Sequence, residues 1–183
     1  MAEGIPEFRV LYETHFDLVW RVLRRLGVRE ADTLDLVQKV FLTVHARLGG
    51  FEGRSQLKTW IFGICQRVAS DYRRSARVQR EVATDVTELE GHRDGARGPL
   101  ASMESRQLAV VAEGILDKLP EAQRVVFVLF ELEEMSGDEI AALLEVSVGT
   151  VRSRLRLARE AVRREVVRLT ARSESAARKV AIR

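Results

Sequence analysis

The feature that most constrains this chain is the recurrence of apolar residues at every third or fourth position along most of its 183 residues. Phe8, Leu11 and Val22, for example, fall on one side of a helix. This spacing is typical of amphipathic helices, whereas a half-buried strand needs strict alternation with a period of two. The spacing is lost between about Val82 and Met103, where glycines and a proline interrupt it. The chain is therefore predicted to be all-α, with two small helical domains joined by a flexible linker.

Glycine and proline positions set the predicted boundaries of these parts. Gly27 ends the first helix, a second helix begins near Asp32, and a glycine-rich loop at 49–55 precedes a third helix that Ser55 can cap. Pro120 marks the start of a later helix, whose predicted buried stripe is Val125, Val128, Leu129 and Leu132. We assign residues 1–80 to the first domain, 81–104 to the linker, 105–170 to the second domain and 171–183 to a basic tail.

The charged residues are unevenly distributed, although the net charge of the whole chain is only +3. Residues 148–183 have a net charge of +8, whereas residues 119–147 have a net charge of −6. A basic helix of this kind fits a polyanion such as nucleic acid, although a charged helix face is also what a solvated surface requires.

Several functional classes are disfavoured by what the sequence lacks. Cys65 is the only cysteine and the three histidines are far apart, so no metal site or other cofactor is expected. Acidic pairs occur without a histidine or a glycine-rich phosphate loop, so an enzyme is not expected. No apolar run is long enough for a membrane span, and the N-terminus lacks a signal-peptide layout, which favours a cytoplasmic protein.

The strongest motif is a predicted helix-turn-helix between Gly137 and Leu157. Ser136 and Glu139 have the spacing of a capping box for its first helix, and Ser147 can cap the second, which is expected to run to about Leu169. Four arginines then recur on one face of the second helix, at Arg152, Arg156, Arg159 and Arg163. Arginines near the leading end of such a helix can reach phosphates and guanine edges in the major groove.

This segment resembles region 4 of extracytoplasmic-function sigma factors. The resemblance rests on Glu139–Leu144, Val148–Leu155 and Ala158-Arg159, and Leu119–Arg124 is similar to the opening of that region. It implies contact with the polymerase flap and recognition of the −35 promoter element by Thr150, Arg152, Ser153, Arg156 and Arg159. Three residues depart from the family pattern. Glu134 stands where glycine is common, Glu145 stands where the turn usually has glycine or another small or polar residue, and Leu157 stands where a basic residue is common. The two glutamates are expected to make their turns slightly more costly.

The first domain resembles region 2 of the same family. Asp35–Phe41 is similar to the helix that docks on the polymerase clamp, with Lys39 in place of the usual glutamate. The resemblance implies a polymerase-binding patch formed by Leu34, Asp35, Gln38, Lys39 and Leu42. A mixed polar and apolar patch of this kind suits a protein partner better than a nucleic acid.

Residues 51–61 resemble the segment that joins the strand-separating loop to the −10 recognition helix. The −10 contacts implied are Arg54, Ser55, Gln56, Lys58, Arg67, Asp71 and Arg74. Asp71 would repel phosphate, so its use implies either a base contact or an internal pair with Arg67 or Arg74. Trp60 could stack on a base, but core packing is the favoured interpretation.

The resemblance implies a non-catalytic subunit that binds core RNA polymerase, duplex promoter DNA and the melted single strand. Because family members are commonly silenced by an anti-sigma factor, such a partner is implied as well. The alternative is a helix-turn-helix regulator that binds duplex DNA without being a polymerase subunit. That alternative requires an N-terminal receiver or ligand domain with alternating strands, and the first half of the sequence has no such pattern.

Overall fold

The computed structural model describes residues 7–53, 55–82 and 103–181, and every regular element in these ranges is helical. The elements are α1 (Phe8–Arg25), α2 (Glu30–Leu48), α3 (Leu57–Val82), α4 (Met103–Leu116), α5 (Glu121–Phe127), a π-helical turn (Val128–Leu132), α6 (Gly137–Leu144) and α7 (Val148–Ala181). The all-α prediction is confirmed. The chain divides into an N-terminal unit, Met1–Val110, and a C-terminal unit, Val111–Arg183. Most of the predicted linker, 83–102, lies outside the described residues.

The N-terminal unit packs α1, α2 and α3 against one another. Each helix contributes an apolar stripe that is almost completely buried: Val19, Val22 and Leu23 from α1; Val37, Val40 and Phe41 from α2; Ile61, Phe62 and Cys65 from α3. Burying one such side chain stabilises the fold by about 1.5–3 kcal/mol relative to leaving it in water. Hydrophobic burial therefore sets how the three helices meet.

Polar contacts join the helix ends of this unit. The connection after α1 turns at Gly27, whose φ of 89° suits a residue without a Cβ. Arg73 of α3 donates to the carbonyl of Leu26. The Arg24 guanidinium donates to the carbonyl of Val28 at 2.9 Å. The Leu26 carbonyl caps the end of α1 and the Val28 carbonyl lies in the connection to α2, so each arginine binds a carbonyl outside the helical hydrogen-bond pattern.

The C-terminal unit packs α5 and α6 against α7. Its buried core includes Leu129, Ile140, Val151, Leu155 and Ala158. The prediction for the stripe on α5 was partly wrong. Leu132 is 38% exposed, and Val126 is fully buried. The π-helical turn adds a residue to the helical repeat there, which shifts the register of the face that meets α7.

Two predicted helix boundaries also differ from those observed. Ser55 was predicted to cap α3, but the helix begins at Leu57 and is preceded by Gln56. The Gln56 carbonyl accepts the first helical hydrogen bond, from the Trp60 amide. Helix α7 continues through the predicted basic tail to Ala181, well beyond Leu169. Residues 171–181 include no proline or glycine that would end the helix.

Candidate nucleic-acid interfaces

The predicted helix-turn-helix is formed by α6 and α7, and both predicted caps are confirmed. The Glu139 amide donates to Ser136 Oγ at 3.2 Å, and the Ser136 amide donates to Glu139 Oε2 at 2.9 Å. The hydrogen bond from the Ser136 backbone, followed by that from its side chain, lowers the pKa of Glu139 below its ordinary value. At α7 the Thr150 amide donates to Ser147 Oγ at 3.0 Å. The leading ends of both helices are therefore fixed by local hydrogen bonds.

The turn between these helices contains a backbone conformation that disfavours ordinary residues. Glu145 is left-handed, with φ 54° and ψ 44°, and Glu134 has a φ of 58° before α6. The family resemblance predicts glycine at position 134 and glycine or another small or polar residue at position 145, and glycine adopts positive φ without steric cost. The expectation that the two glutamates make these turns more costly agrees with the observed dihedral angles.

Four arginines of α7 line one open groove of about 500 Å³, together with the Phe130 ring. They are Arg152, Arg156, Arg159 and Arg163, as their spacing predicted. The apolar part of its lining includes Val151 and Leu155, and the carboxylates of Asp138 and Glu160 also line it. Four guanidinium groups against two carboxylates, with apolar side chains beside them, make this surface suitable for a polyanion whose bases or sugars also offer apolar area.

Two of these arginines form ion pairs with glutamates that were not among the predicted site residues. Arg156 pairs with Glu160 at 2.7 Å, and Arg159 pairs with Glu131 at 2.6 Å. The first pair could have been found from its four-residue spacing within α7. The pair of Arg159 and Glu131 joins α7 to the π-helical turn across 28 residues, and no local sequence pattern predicts it.

The other two predicted −35 residues differ in their surroundings. The Thr150 hydroxyl lies 2.9 Å from that of Ser147, so its side chain is part of the helix cap. Ser153 is exposed on α7.

The predicted −10 residues are exposed wherever the structure describes them. Arg54 lies outside the described residues. Ser55 and Gln56 lie just before α3, and Lys58 lies in its first turn. Arg67, Asp71 and Arg74 share one face further along, on the side of the helix opposite Lys58. Among the described residues Asp71 has no ion pair, although Arg67 and Arg74 lie four positions before and three after it. The internal pair considered for Asp71 is thus not formed in the described part of the chain.

Trp60 is neither fully buried nor free at the surface. Its ring is half-buried and tilted against that of Phe51, with 5.2 Å between the centroids. The tryptophan therefore joins the start of α3 to the preceding loop, which is a smaller packing role than the predicted core position.

The predicted polymerase-binding residues form an exposed stripe on α2. Leu34 is 50% exposed and Leu42 is 71% exposed, and between them lie the exposed side chains of Asp35, Gln38 and Lys39. Exposed leucines cost free energy in water, so this stripe has the character of a protein-binding surface.

Within the described ranges, no group of three or more His, Cys, Asp or Glu side chains could hold a metal ion. No helix in those ranges is long and apolar enough to cross a membrane.

Comparisons with known proteins agree with both halves of this arrangement. Residues 11–78 match the family described as Sigma-70 region 2, and residues 111–162 match that described as Sigma-70, region 4. The ECF RNA polymerase sigma-E factor of Escherichia coli strain K12 is 32% identical over 146 residues, which are 76% of this chain and 76% of that protein.

Two solved structures share the fold. The structure of CnrH in complex with the cytosolic domain of CnrY has a TM-score of 0.62 at 25% identity, over 87% of this chain and 86% of that chain. The sigma factor RpoE of Bartonella quintana, in complex with the anti-sigma factor NepR, has a TM-score of 0.69 at 21% identity, over 86% of this chain and 94% of that chain.

Proposed function

The chain belongs to the extracytoplasmic-function sigma factors of RNA polymerase, and on this premise we propose which of its residues contact promoter and polymerase. As a member of this family, it binds core RNA polymerase and directs promoter-specific transcription initiation through −35 and −10 elements. We propose that α7 reads the −35 element in duplex DNA. The observation that carries this is the alignment of Arg152, Arg156 and Arg159 in one groove of α7, whose capped N-terminal end also carries Thr150 and Ser153.

We propose that the −10 element is contacted by exposed residues of α3 and by the residues before it. Arg67 and Arg74 would track the phosphates of the melted strand along the face they share, and Ser55, Gln56 and Lys58 would contact it around the start of the helix. We include Arg54 on the family resemblance alone. Because Asp71 has no described ion pair, we assign it a base contact rather than a phosphate contact.

The clamp of core polymerase is assigned to the exposed stripe of α2. Its members are Leu34, Asp35, Gln38, Lys39 and Leu42. The stripe and the residues of α3 assigned to DNA lie on different helices and share no side chain, and we propose both contacts for the N-terminal unit. Strand opening then follows from preferential binding of the single-stranded state, since a ligand shifts an equilibrium only by its differential affinity.

We propose that the chain itself catalyses no step and that it acts in the cytoplasm. We also propose an anti-sigma factor as a further partner. The last is supported by two related structures, CnrH with the cytosolic domain of CnrY and RpoE with NepR. The alternative, a regulator that is not a polymerase subunit, requires a strand-containing sensor, and the described part of residues 1–110 has no strand.

The test uses the full chain and core RNA polymerase. The chain should co-elute with core polymerase and initiate transcription from promoters selected out of a randomised library. Tight binding of a duplex operator by the chain alone, with no co-elution with polymerase, would favour the regulator instead.

A further inference from the structure

Arg159 is held by two consecutive side chains of the π-helical turn. Its Nε donates to Glu131 Oε1 at 2.6 Å, and its guanidinium carbon lies 5.4 Å from the centre of the Phe130 ring. Both the Arg159 and the Glu131 side chains keep part of their surface in solvent, 50% and 31% respectively. The ion pair is exposed and contributes little to stability, but together with the contact to the Phe130 ring it favours one orientation of the guanidinium.

The other arginines of the groove are held differently. Arg156 pairs with Glu160 one turn along the same helix. Arg152 and Arg163 have no ion pair within the described part of the chain. Of the four described groove arginines, Arg159 is therefore the one whose partners come from another element.

Orientation matters most where an arginine must recognise a base. Reading guanine requires two donors of one planar guanidinium to face O6 and N7 together, whereas a phosphate accepts a cation from many directions. Because the hydrogen bond to Glu131 uses Nε, the two terminal nitrogens of Arg159 stay available for such a bidentate contact.

We propose that Glu131 is a positioning residue that, together with Phe130, orients Arg159 to read a guanine edge in the upstream promoter duplex. This rests on the proposed assignment of α7 to the −35 element. Glu131 acts through Arg159 and makes no base contact itself. Its negative charge beside a polyanion opposes general DNA affinity, so removing it affects affinity and selectivity in opposite directions.

The experiment uses holoenzyme assembled from core RNA polymerase and the full chain. Upstream elements are first selected from a randomised duplex library with the unsubstituted protein. Affinities for the selected duplex and for each single-base-pair substitution are then measured for Glu131→Gln, Arg159→Ala and their double variant, and for Arg152→Ala and Arg156→Ala. Glu145→Gln is the matched control, because it removes one exposed negative charge of the helix-turn-helix that contacts no groove arginine.

Arg159→Ala should remove the preference for one G·C pair, a loss of about fivefold or more in discrimination. Glu131→Gln should weaken the preference at the same pair while raising affinity for unrelated duplex. The double variant should lose no more than Arg159→Ala, because the two residues act as one unit. Glu145→Gln should keep the full preference.

Three results would overturn the proposal. Glu131→Gln could keep the full preference for the G·C pair, or it could lower base discrimination equally at all positions. In the third, Arg159→Ala leaves the base preference unchanged at every position, although Arg152→Ala removes it at one. The last result leaves the assignment of α7 intact. If the alanine variants of Arg152, Arg156 and Arg159 all select the same upstream element as the unsubstituted protein, the proposed function of α7 fails instead. Unchanged melting temperatures of the variants exclude loss of folding as the cause.

Discussion

The Tyr72 hydroxyl donates a hydrogen bond of 2.5 Å to the Asp32 carboxylate, which joins α3 to the first turn of α2. Arg29, just before α2, donates to both groups, at 2.9 Å to the Tyr72 oxygen and at 2.8 Å to Asp32. The three side chains fix the start of the helix that carries the proposed polymerase-binding stripe. A change at Tyr72 should therefore report on the packing of the N-terminal unit.

Tyr72→Phe should lower the free energy of unfolding by about 1 kcal/mol at neutral pH, because it removes the hydrogen bond and keeps the ring. Burial, and then the bond to Asp32, raise the pKa of Tyr72 above its ordinary value of 10.0. The stabilisation is complete below pH 10 and is lost as the pH rises through the folded-state pKa. Urea unfolding at pH 8 and pH 11 should show the difference between the two proteins shrinking. A difference that grew with pH would contradict this.

Glu145→Gly should raise the free energy of unfolding by roughly 0.5–1 kcal/mol, because glycine adopts the left-handed conformation without a Cβ clash. The measurement is thermal or urea unfolding of the full chain. Glu145→Ala is the control, since it removes the charge but keeps the Cβ at a φ of 54°. Equal effects of the two substitutions would show that charge, and not backbone strain, sets the cost.

Lys39→Glu should preserve or strengthen binding to core polymerase, because it restores the charge that is usual at this position of the family's clamp-binding helix. Competition against the unsubstituted chain for a limiting amount of core polymerase measures this directly. Leu42→Asp shows that the assay is sensitive, since a charge on the most exposed leucine of the stripe should weaken binding. A marked loss of binding with Lys39→Glu would mean that this interface differs from that of the family.

Arg152→Ala should reduce initiation at a cognate promoter by about fivefold or more if the side chain makes a bidentate base contact. Arg152 is exposed and has no ion pair among the described residues, so the melting temperature should not change. Arg172→Ala removes an equal charge from an exposed position much further along α7 and should have a smaller effect. Unchanged initiation would remove Arg152 from the proposed readers.

Much of the fold could be predicted because helix formation depends on residues within four positions of each other. The capping box at Ser136 and the cap at Ser147 were both found from spacing alone. The four-and-three spacing of the arginines likewise placed them on one face of α7. The π-helical turn was not predictable in this way, and it moved Leu132 out of the core.

The sequence by itself determined the helices, most of their boundaries and the sign of charge on each face, because these follow from periodicity and local hydrogen bonds. Only the tertiary structure decided which side chains constrain one another across elements. Glu131 and Arg159 are 28 residues apart, and Asp32 and Tyr72 are 40 apart. Such pairs form only when hydrophobic burial has brought the helices side by side. Because the hydrophobic effect is non-directional, the apolar pattern of the sequence does not predict which polar side chains will meet.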